Sequence, residues 1–257
     1  MALFSRSIPS GGYFVCAMPS DKVYVLVFES PPENCLSPSF IEIFRSCLQT
    51  IEESYPPGVL VTASRIPHLY CGDLPLKSNE REERQAWQLL KEVLMYPMPT
   101  IAFITGRAVG IGFLLALCHD FRIQGRPDSS LCICQEPSGV DLAPRLNLIK
   151  AILPCSTVGS SRLAYGKPLY AREATKRGLV DKIGHVNEIF KFIKDQELLE
   201  VTNAPAYRES KIRSNRKAIC ALDSIEEENY STGRYGHDRP DAGSTKRESS
   251  RPREPKI

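Results

Sequence analysis

Thr100-Ile101-Ala102-Phe103-Ile104-Thr105-Gly106-Arg107-Ala108-Val109-Gly110-Ile111-Gly112-Phe113-Leu114-Leu115-Ala116-Leu117 is the stretch on which the reading of this 257-residue chain turns. Pro97 and Pro99 stop whatever precedes it, and Thr100 to Ile104 is a short apolar, β-rich run. Gly106, Gly110 and Gly112 then make a glycine-rich turn, followed at once by the apolar segment from Phe113 to Leu117, which predicts a buried helix. A glycine turn of this kind points unpaired N–H groups at whatever sits there, which is the physical recipe for an oxyanion hole. The competing reading is that the glycines only permit a helix to pack closely on a sheet. The spacing GxxxGxG is not the dinucleotide pattern GxGxxG and no Walker lysine follows it, so phosphate cradling is the weaker functional reading.

Working outward, Tyr24 to Phe28 is a strand ended by Pro31-Pro32, and Ser37-Pro38 opens a helix. Phe40, Ile43, Phe44, Cys47, Leu48 and Ile51 recur at three and four residues and give that helix one apolar face. Tyr55-Pro56-Pro57-Gly58 breaks the chain, Val59 to Thr62 supplies a second strand, and residues 66–76 read as a loop. Glu80 to Tyr96 returns to helical spacing through Trp87, Leu90, Val93 and Leu94. Phe121-Arg122-Ile123 and Leu131-Cys132-Ile133-Cys134 add short strands. Strands and helices alternating at these intervals predict an α/β fold with a largely parallel sheet covered by helices.

Composition narrows the function classes. Lys plus Arg 33 against Asp plus Glu 30 leaves +3, far from the basic excess that phosphate neutralisation needs, so nucleic acid is not expected as a partner. The longest apolar stretch, Val109 to Cys118, is interrupted by two glycines, and no membrane span is expected. Nine cysteines are scattered through apolar segments without paired zinc spacing, and Cys132 and Cys134 read as packing residues, not metal ligands. With no apolar core of a secretory signal near the N-terminus, a reducing, intracellular compartment is expected. From about Ser231 onward Gly, Ser, Pro and charge dominate, a composition that predicts disorder.

The segment from Tyr96 to Arg122 resembles the central signature of the enoyl-CoA hydratase/isomerase (crotonase) superfamily, whose glycine turn precedes a helix reading LALxxDxR. Three further stretches are similar to the family in order: Phe28 to Ser37, the segment Val59 to Leu74 ending in Gly72-Asp73-Leu74, and Ala171 to Asp181 with its Gly178-Leu179-Val180-Asp181. The flavour of Tyr-Pro-Pro-Gly-Val and Tyr-Pro-Met-Pro-Thr is that of a fungal and plant peroxisomal-type branch, some members of which sit in fungal secondary-metabolite clusters that make toxins. The resemblance implies a crotonase-like stack of ββα units over residues 22–200, after an N-terminal extension at 1–21 and before a C-terminal helical segment at 201–230 and a disordered basic tail at 231–257. It also implies a homo-oligomer, trimer or hexamer, that binds an acyl-CoA substrate and needs no cofactor and no metal, since CoA is part of the substrate.

In the family two backbone N–H groups hold the thioester oxygen as it becomes an enolate. By position, the resemblance puts one donor at Ile111, in the turn with Gly110, and the other at Gly72 or Asp73. The proton must move to a carboxylate. The hydratase glutamate of the family falls on Leu114 here, and the isomerase glutamate falls on Gln135, with Glu136 one residue on as the expected base and Asp141 more distant. The reaction implied is enoyl-CoA hydration or Δ3-Δ2 isomerisation. The alternative is a catalytically silent acyl-CoA-binding homologue or assembly subunit. Asp120 is expected to have a structural role. His68 and His119 lack a nearby nucleophile and orienting acid, and are expected to be structural or to contact CoA; Cys71 is not expected to be catalytic. Arg162, Lys167, Arg172, Lys176 and Arg177 read as a solvated basic face that could otherwise meet CoA phosphates. The last three residues, Pro255-Lys256-Ile257, resemble a degenerate SKL address, which implies a peroxisomal import receptor as partner and the peroxisome, otherwise the cytoplasm, as location.

Overall fold

The computed structural model describes residues 2–75, 77–134, 142–153, 166–202 and 206–231. Its elements run β1 (Ala2–Ser7), β2 (Tyr13–Ser20), β3 (Val23–Glu29), α1 (Pro38–Ser54), β4 (Val59–Ser64), β5 (Leu69–Cys71), α2 (Glu80–Leu94), β6 (Thr100–Ile104), β7 (Arg107–Val109), α3 (Ile111–Leu117), β8 (Phe121–Gln124) and β9 (Ser130–Cys132). They continue as α4 (Ala143–Ile152), β10 (Leu169–Tyr170), α5 (Ala171–Lys176), β11 (Lys182–Ile183), α6 (Val186–Asp195), α7 (Leu198–Val201), α8 (Tyr207–Ser214) and α9 (Arg216–Ser231).

The strands form a seven-stranded sheet in the order β1-β2-β3-β4-β6-β8-β11 and a four-stranded sheet in the order β10-β9-β7-β5. In the larger sheet β1, β2 and β3 pair antiparallel, and the pairings from β3 to β11 are parallel. The chain steps three times from the large sheet to the small one and then into a helix, as β4-β5-α2, β6-β7-α3 and β8-β9-α4, so the expected stack of ββα units is present. Residues 1–21, set apart as an extension by the sequence, supply β1 and β2 to the main sheet. The loop expected at 66–76 contains β5, because Leu69 to Cys71 finds a parallel partner in β7.

Two-residue alternation sorts the parallel strands. Val59, Val61 and Ala63 of β4, with Ile101 and Phe103 of β6, join one apolar layer closed by Ile189, Phe192 and Ile193 of α6. Leu60, Ala102 and Ile104 face the main core, with the four phenylalanines Phe14, Phe28, Phe40 and Phe44 and the whole apolar length of α3. Strands covered on both faces read as continuous apolar runs, which is why β4 and β6 are conspicuous in the sequence.

The helices start where local chemistry directs. Ser37 Oγ accepts the Phe40 N–H at 3.3 Å with Pro38 in the first turn of α1. Asn79 and Glu82 exchange a reciprocal capping box at the start of α2. At the C-terminal end of α3, Asp120 accepts from Thr100 N at 2.8 Å, Thr100 Oγ1 at 3.0 Å and Lys211 Nζ at 2.7 Å, fastening α8 to β6. Among the described residues no helix is long and apolar enough to cross a membrane.

Candidate active site

The segment from Tyr70 to Leu74 lies between two neighbours that fix it by its backbone. On one side is the loop after β3. Buried Asn34 accepts the Ser30 N–H at 2.6 Å and donates to Ser64 Oγ at 2.8 Å and to Tyr70 O at 3.0 Å. On the other side is the glycine turn, where Gly110 N donates to Cys132 O and Gly112 N to Gly72 O, at 2.9 and 3.0 Å. The turn needs glycine twice. Gly110 has φ +59°, and a Cβ there would lie 2.0 Å from the Asp73 carboxylate; a Cβ on Gly112 would lie 2.3 Å from Gly72 O.

Of the residues the sequence assigned as donors, the structure brings Ile111 and Asp73 together. The Ile111 N–H donates to Asp73 Oδ1 at 3.1 Å. Gly72 has a different position in the frame: its N–H donates to Glu33 O at 2.9 Å and its carbonyl accepts Gly112 N, so both of its backbone groups are committed. Asp73 therefore enters the site through its side chain. Oδ1 also accepts the Leu74 N–H at 2.8 Å and Arg145 Nη2 at 2.9 Å, while Oδ2 accepts Arg145 Nη1 at 2.7 Å.

Arg145 escapes the sequence reading. It stands in the first turn of α4, its side chain is 8% exposed, and Nη1 donates also to Ile133 O at 2.9 Å. A charged residue beside Leu142, Leu146, Leu148 and Ile149 is the signal that could have singled it out, because a cation in an apolar helix needs a buried partner. That partner lies 72 residues away.

Glu136 lies outside the described residues, as do Gln135 and Asp141. Leu114 is buried in α3. Cys71 donates its thiol to Asn34 O at 3.1 Å, and burial pushes its pKa well above the ordinary value, so it is held as a protonated thiol. Cys132 Sγ lies 2.7 Å from Cys134 O and 2.9 Å from Gly166 O, two carbonyls that share its single S–H.

His119 belongs to a buried polar chain beneath the turn. Its Nδ1–H donates to Leu115 O at 2.8 Å, which leaves Nε2 to accept from Thr62 Oγ1 at 2.8 Å, and Thr62 accepts in turn from Tyr70 OH at 2.8 Å. Burial lowers the His119 pKa to about 3, so the ring is neutral. His68 is exposed, with φ +59°. Lys167, Arg172 and Lys176 are exposed, Arg177 pairs with Glu173 at 2.8 Å, and Arg162 lies outside the described residues. The groove of about 600 Å³ lined by Glu42, Arg45, Glu52, Glu92 and Arg208 is on the outer side of α1 and α2 and contains no residue of the glycine turn.

The enoyl-CoA hydratase/isomerase family model matches residues 19–195, which include β3 to β11 and every residue of this site. The chain belongs to the enoyl-CoA hydratase/isomerase family. A relative from Mycosarcoma maydis, the enoyl-CoA isomerase/hydratase fer4, is 29% identical over 229 residues, covering 78% of this chain and 79% of that protein. Solved structures agree in fold. An enoyl-CoA hydratase/isomerase family protein from Pseudomonas syringae matches with TM-score 0.72 at 21% identity, covering 84% of this chain and 96% of that one. Human mitochondrial delta3-delta2-enoyl-CoA isomerase matches with TM-score 0.71 at 16% identity, covering 85% and 90%. The family's fold thus accounts for the two sheets. The Asp73–Arg145 pair is read from this chain's own geometry.

Proposed function

We propose that the chain binds a fatty enoyl-CoA thioester and converts it by hydration or Δ3-Δ2 double-bond migration through an enolate. The observation that carries the reading is the Ile111 N–H aimed at an anionic oxygen in the glycine turn. An N–H fixed in that direction stabilises charge that develops on a thioester oxygen without reorganising. In this reading Gly72, Gly110 and Gly112 hold the turn, and Glu136 takes the proton from carbon. Family membership and the M. maydis relative support acyl-CoA chemistry, and the flavour of the sequence supports a place in fungal secondary metabolism or toxin biosynthesis. The import receptor and peroxisomal location rest on Pro255-Lys256-Ile257, and the homo-oligomer rests on the family resemblance.

A specific observation favours a second reading, a silent acyl-CoA-binding homologue: the Ile111 N–H is already taken by the protein's own carboxylate. Calorimetric binding of enoyl-CoA thioesters of graded chain length, paired with turnover read by product NMR, separates the two. Turnover in the wild type, abolished in Glu136→Gln with binding retained within about threefold, is the expected outcome. Binding without turnover at any chain length overturns the enzyme reading, and full activity of Glu136→Gln overturns the role of Glu136.

A further inference from the structure

Three N–H groups converge on one oxygen. Ile111 N, Leu74 N and Arg145 Nη2 lie 3.1, 2.8 and 2.9 Å from Asp73 Oδ1. The guanidinium does not depend on Asp73 alone for its place, because Nη1 is also fixed by Ile133 O at 2.9 Å. The Asp73 side chain is the more exposed partner, at 20% against 8% for Arg145. The cation is therefore the deeper member of the pair, and the carboxylate is the one that solvent reaches.

A thioester oxygen that takes the Ile111 N–H competes with Asp73 Oδ1 for a single position, since both need the same hydrogen. Whatever oxygen replaces Oδ1 there also comes within reach of Arg145 Nη2. We propose that Arg145 is a catalytic residue, a third oxyanion donor: the thioester oxygen displaces Asp73 Oδ1 and accepts from Arg145 Nη2 together with the Ile111 and Leu74 N–H groups. The inference rests on the acyl-CoA reading and deepens it.

The charge balance gives this arrangement its direction. When the neutral thioester binds, its carbonyl takes the place of Oδ1 and the whole carboxylate swings aside, because the two carboxylate oxygens are too close together for a ligand oxygen to replace one and leave the other, while Nη1 keeps Ile133 O. As the α-C–H bond breaks, the proton goes to the base. The C–H electron pair becomes the new carbon–carbon π bond, and the carbonyl π pair moves onto oxygen. Full negative charge then forms next to a guanidinium that the ground state left partly uncompensated. Charge-assisted hydrogen bonds are stronger than neutral ones, so Arg145 favours the enolate over the bound thioester. Its planar fork also explains why arginine stands here: Nη1 stays fixed on Ile133 O while Nη2 serves the reacting oxygen.

Acetoacetyl-CoA tests this without requiring turnover. It is a 3-oxoacyl thioester whose acidic α-carbon releases its proton to solvent and whose enolate absorbs in the ultraviolet. The full chain is titrated with it, binding is measured by calorimetry, and the enolate band is followed against pH. A donor of this kind contributes about 100-fold, so the bound ligand should form its enolate about two pH units below the free ligand. In Asp73→Asn/Arg145→Gln, which removes both charges together, most of that displacement should vanish while calorimetry still registers binding of the ligand. In Arg145→Lys, which tests the point should the double variant not fold, the midpoint should rise by about one unit because an ammonium lacks the fixed fork. A midpoint unchanged from wild type in either variant overturns the proposal and leaves the two backbone donors as the whole hole. Binding to wild type with no displacement of the midpoint overturns it too, with thioester binding intact. Failure of the wild type to bind acetoacetyl-CoA or any enoyl-CoA overturns the acyl-CoA reading itself, and this inference with it.

Discussion

The two ends of α3 carry the same chemistry to different purposes. At the C-terminal end Asp120 accepts from Thr100 N, Thr100 Oγ1, Lys211 Nζ and, at 3.4 Å, Tyr207 OH. At the N-terminal end Asp73 accepts from Ile111 N, Leu74 N and both terminal nitrogens of Arg145. Each is a carboxylate matched with a buried cation, at 2.7 Å in both cases. The first pair joins β6 to α8, so its donors are used up in holding the fold together. The second lies at a glycine turn, where its carboxylate is the partner that solvent reaches, and in the proposed reading a ligand's oxygen takes the place of Oδ1 there. An ion pair is a structural fastener when nothing from outside can replace its members, and part of a site when something can.

The largest effect should come from breaking the fastener. Lys211 is 5% exposed, and burial lowers its pKa while Asp120 raises it, leaving it lowered overall. Lys211→Met leaves Asp120 without its cation and should reduce the unfolding free energy by about 3–5 kcal/mol in urea titration. A loss below about 1 kcal/mol would mean that Thr100 and Tyr207 satisfy Asp120 without the cation, and the contrast between the two ends would fail.

A smaller effect is expected in the turn. Gly110→Ala forces a Cβ into the Asp73 carboxylate at a positive φ and should cost about 1–3 kcal/mol and abolish thioester binding. Gly178→Ala is the control, since Gly178 has φ +69° with nothing within 4 Å of its Cβ. It should show the backbone cost alone, about 1 kcal/mol, with binding unchanged. Equal behaviour of the two variants would remove the carboxylate from the account of the turn.

The third prediction concerns pH. His119 sits at the fastener end of α3 and has its folded pKa lowered to about 3 from 6.5. As pH falls through 6.5 the unfolded chain takes up a proton that the folded chain refuses. Stability is therefore present above 6.5 and declines toward the folded pKa, by about 1.4 kcal/mol per unit. Between pH 6.5 and 5 the wild type should lose about 1.6 kcal/mol through this group. In His119→Gln that part of the slope should disappear, whatever the variant's stability at pH 7. An unchanged slope would mean that His119 is protonated in the folded protein and that the Thr62–His119 bond is misassigned.

What the sequence shows of this depends on range. β4 and β6 are legible because buried parallel strands read as apolar runs between turn residues, and α1 and α2 because their spacing and caps are local. β5 and β7 are three residues each, Leu69 to Cys71 and Arg107 to Val109, too short for any period to appear. The β1–β2 hairpin is marked only by Ser10-Gly11-Gly12 between two β-prone runs, and its antiparallel pairing carries none of the strand–helix alternation that makes the rest of the sheet legible. In the site, Ile111 and Gly110 follow from the glycine spacing. The use of Asp73 through its side chain does not, because it depends on Arg145 arriving from α4, and a contact across 72 residues leaves no pattern in either segment.

The most direct test of the central claim, that an oxygen in this turn is stabilised as an enolate, is solvent deuterium incorporation. Purified wild-type protein in deuterium oxide is incubated with enoyl-CoA thioesters of graded chain length, and mass spectrometry and NMR locate the label. The account predicts label at the α- or γ-carbon or at both, at a rate above the uncatalysed exchange and lost in Gly110→Val. Absence of label at every chain length, with thioester binding demonstrated in the same samples, would contradict it.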